Sequence, residues 1–187
     1  MSPGASEKVR IIVLFGDISG FTAFCDAVTN DEVEYDPFME KFDRLIEKTE
    51  RETGYAFTDT GDGFMCIIDL PKGHSCTTVI KALADLWALL KRIQRLIDTK
   101  KELDPPAPDG FRIVGTAGYV KRKIKSDGRV IHRGKYINKA HNYLDQARDK
   151  GFVCHDSLKN LISDKQAKKH GFKFTKFDKE LWVLDVA

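Results

Sequence analysis

Apolar positions fall along this chain in two rhythms. From Val9 to Phe15 they run together, as in a central strand covered on both faces. The same grouping returns at 55–60, 64–70 and 111–120, and more briefly at 129–132, 151–154, 172–175 and 181–186. Between these stretches the spacing changes to three and four. Phe38, Phe42, Leu45, Ile46 and Thr49 share one helical face behind Asp36-Pro37, an N-cap followed by proline at the first helical position, and Gly54 ends that helix. Val79, Leu83, Leu86, Leu90, Ile93 and Ile97 form a longer stripe, with Ser75 or Thr77 as its cap. A short helix is predicted over 20–28, another over 134–148, and a third capped by Asp156.

The order strand, helix, helix, hairpin, helix, strand, helix, strand predicts an α+β fold. We expect a ferredoxin-like, mainly antiparallel sheet with helices packed on one face. A chain of 187 residues fits a single domain, taken as 9–187 behind a flexible tail over 1–8. An apolar fraction of 42% with 32% charge matches an ordinary globular protein, and no apolar run reaches a membrane-spanning length, so no membrane is expected. Four cysteines without paired spacing read as reduced thiols in a cytoplasmic protein. The net charge of +3 conceals a division. Asp26 to Asp62 holds twelve acidic residues against four basic, and Lys121 to Lys176 sixteen basic against five acidic. Such halves read either as two solvated faces or as an acidic and a basic end that meet across a cleft or a dimer interface with a polyanion between them. Without an aromatic-studded basic ribbon, nucleic acid is not the expected partner.

The chemistry lies where two of these elements end. In Val13-Leu14-Phe15-Gly16-Asp17-Ile18-Ser19-Gly20-Phe21-Thr22 a buried strand closes on a carboxylate and a helix starts at once. Asp17 is thus a metal-ligand candidate beside free amides of Gly20, Phe21 and Thr22, which suit a phosphate. Thr60-Gly61-Asp62-Gly63-Phe64 puts a second carboxylate at a hairpin tip. If the first strand and the hairpin are neighbours, Asp17 and Asp62 converge. With the Ile18 carbonyl they would then hold two divalent cations, Mg²⁺ or Mn²⁺, for phosphoryl transfer.

Three motifs follow one another in a distinctive order: Phe15-Gly16-Asp17-Ile18-Ser19-Gly20-Phe21-Thr22, Gly61-Asp62-Gly63-Phe64, and Gly134-Lys135-Tyr136-Ile137-Asn138-Lys139-Ala140. Together with the strand beginning Phe111-Arg-Ile-Val-Gly, this order resembles the class III nucleotidyl (adenylate/guanylate) cyclase catalytic domain. The resemblance implies a homodimer with composite active sites. One protomer gives the metal aspartates, Asp17 and Asp62, and the other gives Asn138 to orient the ribose; a basic residue near the C-terminus, Lys176 or else Lys173, holds the triphosphate. It also implies attack of the ribose 3′-oxygen on the α-phosphorus of a nucleoside triphosphate, yielding a 3′,5′-cyclic nucleotide and pyrophosphate.

Three positions depart from the family. Its lysine before the second metal aspartate falls on Thr58, and its adenine-reading aspartate falls on Ile131, so the purine readout is missing. Its transition-state arginine falls on Asn142, leaving Lys139, Lys135 or Arg133 to substitute. A stand-alone domain with metal ligands and no purine readers is similar to the bacterial pyrimidine cyclases of anti-phage defence. They make cUMP or cCMP for a cyclic-nucleotide-responsive effector. The alternatives are an adenylate/guanylate cyclase with an atypical base pocket, or a catalytically inactive domain that binds and dimerises.

Overall fold

The computed structural model describes residues 6–28, 37–73, 76–103 and 106–186. The Asp36 and Ser75 caps fall outside the described residues, and Thr77 lies within the first turn of its helix. Eight strands form one sheet: β1 (Ser6–Ser19), β2 (Ala56–Asp59), β3 (Gly63–Leu70), β4 (Gly110–Ile124), β5 (Val130–Arg133), β6 (Phe152–His155), β7 (Phe172–Lys176) and β8 (Leu181–Val186). Their order is β2-β3-β1-β4-β6-β8-β7, with β5 paired on the far end of β4. Only the β4–β6 pair is parallel, as the mainly antiparallel reading predicts. Ser6 to Lys8, assigned to the tail from sequence, already pair with Lys121 to Lys123 of β4.

The helices are α1 (Phe21–Val28), α2 (Pro37–Thr53), α3 (Cys76–Leu103), α4 (Lys135–Asn142), α5 (Asp156–Lys159) and α6 (Asp164–Lys169). The predicted stripe of α3 is buried throughout, each residue 5% exposed or less. It packs with Phe38 and Phe42 of α2 and with Ile12, Leu14 and Ile18 of β1. Burying each such side chain contributes about 1.5–3 kcal/mol.

The expectation of helices on one face is corrected. Successive strand residues point to opposite faces, and the β1 run is apolar on both, so each face needs cover. Ile11, Val13 and Phe15 meet Val120 and Ala140 of α4 on the second face, while Ile12 and Leu14 face α2 and α3. The predicted 134–148 helix is also corrected. α4 ends at Asn142, and a 3-10 turn over Asp145–Ala147 continues the chain. At α5 the cap is His155 rather than Asp156: its ring accepts a bond from the Ser157 amide.

Candidate active site

Asp17 lies two residues before the end of β1, opposite Gly63 on β3 and Arg112 on β4. Alternation continues Ile11, Val13 and Phe15, so Asp17 belongs to the face covered by α4. The β2–β3 turn brings Asp62 beside it. The Ile18 amide donates to the Asp62 carbonyl at 2.9 Å, and the Thr60 amide to the Gly63 carbonyl at 3.2 Å. The Gly61 amide donates to Asp59 Oδ1 at 2.7 Å, and Gly61 takes φ +94°, open to glycine at no steric cost. Gly63 is required for a different reason: a Cβ there would overlap the Gly16 carbonyl oxygen.

Burial pushes the Asp17 carboxyl above its ordinary value of 3.8; the Arg112 guanidinium pulls it back, and the neighbouring Asp62 carboxyl pushes it up again, for a net rise. Arg112 donates through Nε at 2.8 Å and Nη2 at 2.5 Å, both to Asp17 Oδ2. Asp17 Oδ1 has neither bond. Arg112 is 8% exposed, and its Nη1 is buried without a partner. Sequence reasoning did not single out Arg112, although it stands in the quoted Phe111-Arg-Ile-Val strand. The signal lay in the β1–β4 register, which only folding supplies.

At the start of α1, Gly20 takes φ +75° and its carbonyl accepts from the Phe24 amide at 2.9 Å. The Asp109 carboxylate occupies the space a Gly20 side chain would need, and the Asp109 amide donates to the Ser19 carbonyl at 2.8 Å. An acid thus lies beside Gly20, a neighbour the sequence did not suggest.

Thr58 and Ile131 line one cavity of about 790 Å³, although they lie on β2 and β5. Met65, Ile67 and Ile137 give it apolar walls, and Asp69, Arg122 and His132 are polar groups that sequence reasoning missed. Asn138 and Asn142 are exposed on α4, with Ile137 on the cavity side. Of the three cations considered for the missing arginine, Lys139 is engaged. Its Nζ lies 3.1 Å from Glu180 Oε2 and 3.0 Å from His155 Nε2. Lys135 and Arg133 are exposed, Lys135 with its Nζ 5.4 Å from the Tyr136 ring centre. Lys176 is not brought near Asp17. It sits on edge strand β7, beyond β4, β6 and β8, with Nζ over the Trp182 ring. Lys173, the other triphosphate candidate, shares that strand.

The arrangement is a pair of converging carboxylates at the centre of the sheet, with amides and the Thr58–Ile131 cavity apart from it. Two neighbouring carboxylates supply the oxygen donors that a hard divalent cation takes. Among the described residues no cluster adds a third His, Cys, Asp or Glu to them.

The profile of the adenylate and guanylate cyclase catalytic domain matches residues 4–103, just over half of the chain. No curated protein matches the sequence. Among solved structures, the guanylyl cyclase Cya2 superposes with a TM-score of 0.72 at 14% identity, covering 100% of this chain and 96% of that one. The adenylyl cyclase CyaB from P. aeruginosa gives 0.69 at 16% identity, covering 98% and 96%. The dimeric guanylyl cyclase domain of the RhoGC fusion protein from the aquatic fungus Blastocladiella emersonii gives 0.65 at 14%, covering 98% of each chain. Fold, motif order and profile agree. The chain belongs to the class III adenylyl and guanylyl cyclase catalytic domain family, whose enzymes are nucleotide cyclases of the phosphorus–oxygen lyase class. No described helix is long and apolar enough to cross a membrane.

Proposed function

We propose that this chain is a homodimeric nucleotidyl cyclase acting on a pyrimidine nucleoside triphosphate, UTP before CTP. The observation that carries the reading is the convergence of Asp17 and Asp62, 45 positions apart, which the lack of a side chain at Gly63 allows. Asp17, Asp62 and the Ile18 carbonyl would hold two Mg²⁺ or Mn²⁺ ions. Bound there, such ions acidify the ribose 3′-hydroxyl and offset triphosphate charge. The Gly20, Phe21 and Thr22 amides hold the terminal phosphates. From the partner protomer, Asn138 orients the ribose and Lys176 holds the triphosphate. The 3′-oxygen forms a bond to the α-phosphorus as the bond to pyrophosphate breaks, and the 3′-hydroxyl proton leaves with the change.

The pyrimidine assignment is supported by what stands at the base cavity. Ile131 cannot accept a bond from an adenine amine, and an unmet polar edge costs about 1–3 kcal/mol. Thr58 is shorter than the lysine it replaces and suits a smaller ring. By the same resemblance, the product is a cUMP or cCMP signal in the cytoplasm, made for an effector that responds to cyclic nucleotides in antiviral defence. One observation favours a second reading: Asn142 stands where the family carries its transition-state arginine, as in a domain that binds nucleotide without turning it over.

The test is incubation of the purified protein with each of the four NTPs and Mn²⁺, with cyclic products resolved by chromatography. Cyclic UMP is the expected main product. Absence of product from every NTP would remove the enzymatic reading, and cAMP alone would remove the pyrimidine one. Asp62→Ala should abolish turnover with unchanged circular dichroism.

A further inference from the structure

One wall of the 790 Å³ cavity carries a polar row that the family motifs do not account for. Asp69 on β3, Arg122 on β4 and His132 on β5 meet there, His132 directly opposite Arg122 in the β4–β5 register. Arg122 Nη1 donates to Asp69 Oδ2, and its Nε and Nη2 donate to Glu7 Oε1. A guanidinium has five N–H donors, so these three bonds leave two for a ligand. His132 Nε2 lies 3.3 Å from Asp69 Oδ1, yet it is buried and makes no hydrogen bond. The Asp69 side chain remains 41% exposed and that of Arg122 28%. Across this wall the groups run guanidinium, carboxylate, imidazole.

We infer that Arg122, Asp69 and His132 read the Watson–Crick edge of a uracil and thereby select a uridine nucleotide. The inference rests on the base occupying the Thr58–Ile131 cavity, as in the reading above. With Nε2 carrying the proton and the ring turned from Asp69 toward the cavity, the row presents donor, acceptor, donor. Uracil offers the complement: O2 accepts, N3–H donates, O4 accepts. Cytosine turns a lone pair at N3 toward the Asp69 carboxylate and an amino group toward the His132 N–H. Guanine ends its edge in an amino group facing a donor, and adenine supplies only one donor and one acceptor. An ionised carboxylate in the middle position accepts only, so the central contact discriminates most. His132 Nε2, sealed from solvent and without a hydrogen bond, reaches O4 when the ring turns toward the bound base and gains a bond by doing so.

The experiment is calorimetric titration of the whole chain with the α,β-methylene analogues of UTP, CTP, ATP and GTP, which bind without cyclising. The UTP analogue should bind tightest. Asp69→Asn and His132→Phe should each weaken it by about tenfold, the worth of one hydrogen bond, with the CTP analogue within about twofold of wild type in His132→Phe. Asp69→Asn should move the ratio further toward CTP, because its amide can donate to cytosine N3. His132→Phe lies outside the Arg122 ion pairs and fills similar space, so it stands in if Asp69→Asn does not fold. Equal binding of the UTP and CTP analogues by wild type, or no binding of either, overturns the inference. So does an unchanged ratio in the folded variants. Failure of the cyclase reading is separate: it appears as absent product from all four NTPs, whereas the binding ratio needs no turnover.

Discussion

A methyl group at position 63 would press against the Gly16 carbonyl and come within 3.0 Å of Asp17 Cα. Neither neighbour can yield, because both are backbone in the middle of the sheet. Gly63→Ala should therefore push the β2–β3 turn away from β1 and carry Asp62 with it. We expect a stability loss of about 1–3 kcal/mol by urea unfolding. Turnover should fall by roughly a hundredfold or more, since an ångström of misplacement costs that much. Wild-type turnover in a folded Gly63→Ala protein would show that the carboxylates need not converge. At this scale the sequence was most readable where a residue's role is local. Asp17 closes an apolar run and Asp62 sits between two glycines, so both stood out. Arg112 did not, because its bond to Asp17 joins residues 95 positions apart and depends on strand register. Asp69, Arg122 and His132 were hidden likewise: three strands bring them together, and no short motif contains them.

Helix α4 carries Asn138, and its placement depends on a polar clamp at its far end. Tyr143 donates to Glu180 Oε2 at 2.7 Å and Lys139 does so at 3.1 Å, which ties the helix to the β7–β8 connection. Buried beside them is His155, stacked on Tyr143 with ring centres 5.6 Å apart. Burial first, and the Lys139 charge second, hold the His155 ring below its ordinary 6.5 despite Glu180. The unfolded chain therefore takes up this proton before the folded one does. Stability is complete above about 6.5 and falls as pH drops below it toward the folded value. Glu180, held down to about 2 chiefly by the Tyr143 bond, stays ionised through this window and does not obscure it. The urea midpoint should fall between pH 7.5 and 5.5, and His155→Gln should flatten that slope. An equal slope in both proteins would assign it elsewhere. Among elements, long periodic ones were legible: α2 and α3 contain the whole of the stripes that predict them, α3 running six residues beyond Ile97. α4 was not. Ile137, Ala140, Leu144 and Ala147 keep helical spacing, but a 3-10 turn satisfies the last of them equally well, so periodicity alone did not locate the break.

For the molecule as a whole, the sheet separates what the proposed reaction must join. From β1 to β7 there are four strand steps of about 4.8 Å, roughly 19 Å, which puts Lys176 beyond a lysine side chain's direct reach of the Asp17 of its own chain. The charge division visible in the sequence fits this separation, with the acidic half around Asp62 and the basic half from Lys121 to Lys176. In the proposed two-fold dimer, one chain's carboxylates would pair with the other chain's Asn138 and Lys176. Mixed variants discriminate the arrangements. Asp17→Asn and Asn138→Ala should each be inactive alone. When they are unfolded and refolded together in equal amounts, half of the dimers are mixed. Each mixed dimer holds one site with Asp17 and Asn138 both intact and one site lacking both. Activity should return to about a quarter of the wild-type value by this symmetry. A site built within one chain predicts none, because every chain in the mixture lacks one of the two residues. Recovery near a quarter would also locate the base cavity, since Ile137 and Asn138 are adjacent on α4 and Ile137 lines that cavity. Base and ribose would then be held by one protomer and the reacting phosphates by its partner, making product formation itself a measure of dimerisation.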